Sequence, residues 1–119
     1  MSKTVLVVDD QLGIRFLLEE VIKQEGFHVE AAANGKEALD MIVANPPDLI
    51  FLDFKLPVID GPKVVEKLEQ QNIHIPTIVI SGLPEIAEEK MQHFASVVQT
   101  IGKPFQLNDI REIVNNLLD

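Results

Sequence analysis

The chain has 119 residues, no cysteine, and a formal charge of −9 from 19 acidic against 10 basic residues. That length suits one domain with a core that needs no staples, and the lack of cysteine excludes disulfides and thiolate metal sites. The acidic balance argues against direct contact with a nucleic-acid backbone, which needs a basic footprint.

In chain order, short apolar runs alternate with helical patterns. Thr4–Val8 reads as a first strand, and Ile14, Leu17, Leu18, Val21 and Ile22 then follow a helical stripe that Gly26 is placed to stop. His28–Ala32 interleaves polar residues, which suits a strand at a sheet edge. Asn34, with Glu37 three residues on, resembles a capping box opening a second helix. Leu49–Leu52 is a third strand, and Val64, Val65 and Leu68 mark the helix after it, with Pro62 in its first turn. Thr77–Ile80 is a fourth strand, followed by a weak stripe over Pro84–Phe94. Val97–Ile101 is a fifth, and Ile110, Ile113, Val114 and Leu117 mark the last helix. The first, third and fourth strands are nearly all apolar, as expected of strands covered on both faces. Five strand–helix alternations predict a parallel sheet sandwiched between helices.

Functional groups in such a sheet collect at the carboxyl ends of the strands. There the sequence places Asp9 and Asp10, then Asp53, then Ser81, then Lys103. A lone aspartate after a strand is more often a turn residue or a cap. Three carboxylates, a hydroxyl and an ammonium on one edge are harder to dismiss. Two carboxylates about 4 Å apart repel by about 1 kcal/mol in water and about 4 kcal/mol at an effective dielectric of 20. A hard divalent cation such as Mg²⁺ would offset that repulsion. A carboxylate can also be the nucleophile that becomes an aspartyl-phosphate, with lysine and serine contacting the transferring group. Asp53 stands alone and is the expected nucleophile, whereas the paired Asp9 and Asp10 suit the metal.

Asp9-Asp10, the run DFKLPVIDG (Asp53 to Gly61), ISG after the fourth strand and KPF after the fifth resemble a bacterial two-component response-regulator receiver domain. The match runs through the whole chain in order. VDDQLGIRFLLEEVIKQEGF is most similar to the single-domain response regulators of sporulation phosphorelays.

The resemblance implies a flavodoxin-like α/β fold, a three-layer sandwich with a five-stranded parallel sheet of order 2-1-3-4-5 and five helices. It implies one receiver domain over 1–119 with no effector domain. Asp53 would be the phospho-acceptor from a sensor histidine kinase. Asp9, Asp10, Asp53 and the Lys55 backbone carbonyl would hold Mg²⁺, with Mn²⁺ or Ca²⁺ able to substitute. Ser81 and Lys103 would contact the phosphoryl group, and the Lys103–Pro104 bond would be cis. Three residues before the lysine, where the family usually has an aromatic or histidine switch residue, stands Thr100. That departure puts coupling to a distal output face in doubt, and a relay protein needs less of it.

The expected partners are therefore the sensor histidine kinase, a histidine phosphotransferase and an aspartyl-phosphate phosphatase, with no nucleic acid and no membrane. The expected state is a monomeric cytoplasmic protein that is not an enzyme on free substrates. Gln11, Gly13, Ile14, Arg15, Leu17, Leu83, Pro104 and Phe105 are the expected partner-binding residues. Leu12 and Phe16 fall opposite the core stripe and add apolar surface beside the site, while Phe105 is expected to be exposed there. His28, His74 and His93 are dispersed and read as solvated.

Three competing functions follow from the same residues. A chemotaxis-like receiver would act by phosphorylation-dependent binding to a target. A Mg²⁺-dependent phosphatase usually has a second acid two residues after its nucleophile, and that position is Lys55. A nucleotide or flavin binder would want G-x-G-x-x-G in the first turn, where paired acids stand instead.

Overall fold

A computed structural model of the chain describes residues 2–119. The elements are β1 (Thr4–Val8), α1 (Leu12–Gln24), β2 (His28–Ala32), α2 (Gly35–Ala44), β3 (Leu49–Asp53), α3 (Gly61–Gln70), β4 (Thr77–Ser81), α4 (Pro84–Met91), β5 (Val97–Gly102) and α5 (Leu107–Leu118). All pairings are parallel, and the sheet order is β2-β1-β3-β4-β5. The expected flavodoxin-like architecture is the observed one. β3 and β4 extend one residue past their expected ends, so Asp53 and Ser81 close their strands, and β5 likewise runs on to Gly102.

Alternation along the strands divides the core in two. Val5, Val7, Leu49, Phe51, Ile78 and Ile80 pack with buried residues of α1 and α5. Leu6, Val8, Ile50, Leu52 and Val79 pack with α2, α3 and α4. A strand that serves both layers must be apolar along its middle, which is why β1, β3 and β4 carry unbroken apolar runs between their end residues. β2 and β5 are the edges, and β5 leaves Val98 half-exposed.

The helix ends follow local chemistry. Gly26 takes φ +95°, a backbone region that favours glycine, and its N–H caps the Lys23 carbonyl at 2.9 Å. Asn34 accepts the Glu37 N–H at 2.8 Å, the first half of the expected box. Asp60 caps α3 by accepting the Lys63 N–H at 3.2 Å, and Pro62 sits in the first turn as expected. Gly61 is required by crowding, because a Cβ there would lie 2.8 Å from the Asp53 carbonyl oxygen. The loop after Asp53 can therefore fold tightly back under the site.

Two core expectations are corrected. Leu17 is 38% exposed, because the inward stripe of α1 centres on Leu18, Val21 and Ile22. At about 100° per residue, Leu17 is turned about 90° from that centre. Leu117, in the last turn of α5, is 40% exposed, while Leu118 packs against the core. Leu12 and Phe16 are exposed, as expected from their helical angle.

Candidate functional site

Register brings the site together. Val8 pairs with Leu52, so Asp9 leaves β1 beside Asp53 at the end of β3. Asp53 pairs with Ile80, which puts Ser81 one step beyond it, and Ser81 pairs with Gly102, which puts Lys103 one step beyond that. Residues as far as 94 positions apart thus meet because four parallel strands end in step.

Asp9 is buried to 1% exposure and Asp53 to 6%, while Asp10 is exposed. Asp9 Oδ1 accepts the Gln11 N–H at 2.9 Å. Its other oxygen, Oδ2, is buried without a directed hydrogen bond and faces the Lys103 ammonium at 3.0 Å. Lys103 Nζ also donates to Asp53 Oδ2 at 3.3 Å, so one cation bridges two buried carboxylates. Ser81 Oγ accepts the Leu83 N–H at 3.0 Å, which leaves the hydroxyl proton free to donate. The Lys103–Pro104 peptide is cis, as the resemblance implies.

The electrostatics follow from this packing. Burial, then the neighbouring Asp9 charge, raises the Asp53 carboxyl from 3.8 to about 6 against the opposing pull of Lys103 and the Lys55 N–H. Burial pushes the Lys103 ammonium down, but its bonds and charge contacts with Asp9 and Asp53 outweigh this and raise it. Each of Asp9, Asp10 and Asp53 offers an oxygen within 4.8 Å of the others. The buried Asp9 Oδ2, with only the Lys103 ammonium against it, and the all-oxygen donor set fit a hard divalent cation.

A cavity of about 490 Å³ opens over Asp53, lined by Asp10, Gln11, Ser81, Leu83 and Lys103 among others. Lys55 also lines it, so this residue, expected for its backbone carbonyl, brings its position to the mouth. Gly13, Ile14, Arg15, Leu17, Pro104 and Phe105 lie outside the cavity wall. Gly13 and Pro104 are exposed, and Ile14 is half-buried against the core.

Phe105 differs from expectation. It is half-buried and packs in the cluster that contains Ile14, Ile101 and Leu107, because that apolar surface is available to it. Arg15 Nη1 donates to the Asp9 backbone carbonyl at 2.7 Å. Ile86 and Lys90, one turn apart on α4, line the cavity and were not among the expected residues. Their i, i+4 spacing was the available signal, but the weak stripe of α4 did not say which face meets the site.

Comparison with known proteins gives a consistent picture. The model for the response regulator receiver domain matches residues 5–115. The chain is 35% identical over 118 residues to sporulation initiation phosphotransferase F of Bacillus subtilis, covering 99% of this chain and 95% of that one. It is 33% identical to response regulator MprA of Mycobacterium tuberculosis, again over 99% of this chain but only 51% of the relative. A solved structure of the chemotaxis response regulator CheY4 of Vibrio cholerae superposes with a TM-score of 0.89 at 25% identity, covering 99% of this chain and 100% of that one.

Proposed function

This chain belongs to the response regulator receiver domain family, and from that premise we propose that it is a phosphorelay intermediate. In this reading it accepts a phosphoryl group on Asp53 from a phosphohistidine of a sensor kinase and passes it to a histidine phosphotransferase. It acts on partner proteins and does not turn over free substrates. The observation that carries the reading is the bridge from Lys103 to both Asp9 and Asp53 at the floor of an open cavity. The likeness to sporulation initiation phosphotransferase F over nearly the full length of both chains supports the relay form.

The chemistry balances with the groups present. The Asp53 carboxylate attacks phosphorus, and the P–N bond to a donor ring protonated on its other nitrogen breaks, so that the imidazole leaves neutral with that proton as the acyl phosphate forms. Asp9, Asp10, Asp53 and the Lys55 carbonyl would hold Mg²⁺, which supplies neutralising charge to the phosphoryl oxygens. Lys103 is placed to follow negative charge from the free carboxylate to the phosphorylated one. The Ser81 hydroxyl would donate to a phosphoryl oxygen, because accepting the Leu83 N–H uses one lone pair and leaves its proton uncommitted. The onward step reverses the first, with a neutral partner imidazole as the nucleophile.

The decisive experiment mixes the chain with a phosphorylated histidine kinase, then adds candidate histidine phosphotransferases with and without Mg²⁺. Acid-labile label should appear on the wild type and not on Asp53→Asn, and should move onward to a second histidine protein. Label on Asp53→Asn would overturn the acceptor assignment. The structural likeness to a chemotaxis regulator favours a second reading, binding of a target by the phosphorylated form. Label that stays on Asp53 with every histidine acceptor, together with phosphorylation-dependent capture of a target, would favour it over the relay.

A further inference from the structure

Asp9 is held from three sides, and the phosphoryl chemistry accounts for only part of that. Its N–H donates to the Ala32 carbonyl on β2 at 3.2 Å, and its Oδ1 accepts the Gln11 N–H at 2.9 Å. Its backbone carbonyl lies between two ladders, since β1 has ended at Val8 and α1 does not begin until Leu12. A carbonyl in so buried a residue needs a partner. Arg15 supplies it, reaching back from the first turn of α1 to donate at 2.7 Å. Arg15 is half-buried, which suits a short charge-assisted bond from a planar donor.

The consequence falls on the neighbouring carboxylate. The Asp9–Asp10 peptide is a rigid plane, so fixing its oxygen fixes the direction in which the chain enters Asp10. We propose that Arg15 is a positioning residue for the acidic site: by holding the Asp9 carbonyl it sets the Asp9–Asp10 peptide so that both carboxylates converge with Asp53 on a divalent cation. Arg15 itself touches neither the cation nor the phosphoryl group. The inference rests on the phospho-acceptor reading above, and it changes the part expected of Arg15, which the sequence offered as a partner contact.

Simple electrostatics predicts the opposite sign, which makes the test sharp. Removing a cation from a chain of charge −9 should tighten divalent-cation binding. Arg15→Met keeps the stem and loses the donor, while Arg15→Lys keeps a donor and the charge. Mg²⁺ binding measured by calorimetry should weaken about tenfold in Arg15→Met, the size typical of losing a group that orients a metal ligand, and recover in part in Arg15→Lys. Lys23→Met, on the far end of the same helix, is the charge control and should not weaken binding.

The second readout is free of metal. Amide exchange at Gln11, whose N–H rests on Asp9, should speed up about tenfold in metal-free Arg15→Met. Unchanged or tighter Mg²⁺ binding, or unchanged Gln11 exchange, would overturn the proposal. Loss of transfer from a phosphohistidine donor alone, with acetyl phosphate unaffected, would mark Arg15 as a docking contact instead and equally overturn it. Should Arg15→Met fail to fold, Arg15→Gln and Arg15→Lys carry the same comparison. Failure of the wild type to take phosphoryl would sink the functional reading, while the metal-free exchange result would still decide the role of Arg15.

Discussion

At the scale of single residues, Asp53 concentrates the tension between function and stability. Its carboxyl is raised from 3.8 to about 6, chiefly by burial and then by Asp9. A raised acid binds its proton more tightly in the folded than in the unfolded chain. The stabilisation it gives is therefore full below about pH 4 and is lost as pH rises through 6. A rise of this size corresponds to about 3 kcal/mol at the upper end of the window. Asp53→Asn, which stays neutral, should make the metal-free fold more stable than the wild type by about 1–3 kcal/mol at pH 7–8. The difference should vanish near pH 4. Denaturant titrations in a chelator across that range check both, and a variant no more stable than wild type at pH 8 would contradict the burial argument. The residues of this site were legible because acids, a hydroxyl and a lysine stand directly at the ends of apolar runs. The bridge of one ammonium to two buried carboxylates was not, since distances across a sheet edge depend on register.

At the scale of elements, α1 joins the acidic loop to the apolar surface beside it. Its inward stripe was readable from periodicity, and so was the outward placement of Leu12 and Phe16, which are 71% and 60% exposed. Leu17 and Phe105 depart from expectation for different reasons. Leu17 lies at the rim of a stripe centred on Leu18, Val21 and Ile22, while Phe105 sits in the loop before α5, where no period applies and the patch of Ile14, Ile101 and Leu107 draws it in. Phe16 makes no core contribution that its loss would remove. Phe16→Ala should change stability by no more than about 0.5 kcal/mol. If α1 is a docking face, the same variant should slow transfer from a phosphohistidine protein several-fold while leaving labelling by acetyl phosphate intact. Equal loss with both donors would place Phe16 in the chemistry rather than in recognition.

At the scale of the whole molecule, the acidic edge and the aliphatic sheet are linked through folding. No helix among the described residues is long and apolar enough to cross a membrane. The chain instead carries a charge of −9 and gathers three of its acids at one point. A cation that binds the folded edge and not the unfolded chain must stabilise the fold. Mg²⁺ at about 100 times its dissociation constant should add about 2.7 kcal/mol. Thermal melts with increasing Mg²⁺ check this, and Asp9→Asn should flatten the response, because it replaces the buried oxygen that has no directed hydrogen bond. A wild-type melting temperature indifferent to Mg²⁺ would refute the metal site. The parallel α/β architecture can be read from the chain alone, since unbroken apolar runs are satisfied only by burial on both faces, and so can the place of Asp9, Asp10, Asp53, Ser81 and Lys103 at strand ends. It takes the folded chain to show that Lys103 bridges Asp9 and Asp53, that Arg15 turns back to the Asp9 carbonyl, and that Lys90 reaches the cavity. Each joins groups carried by different segments of the chain, and their geometry is set by strand register and helix rotation, which periodicity along one element does not encode.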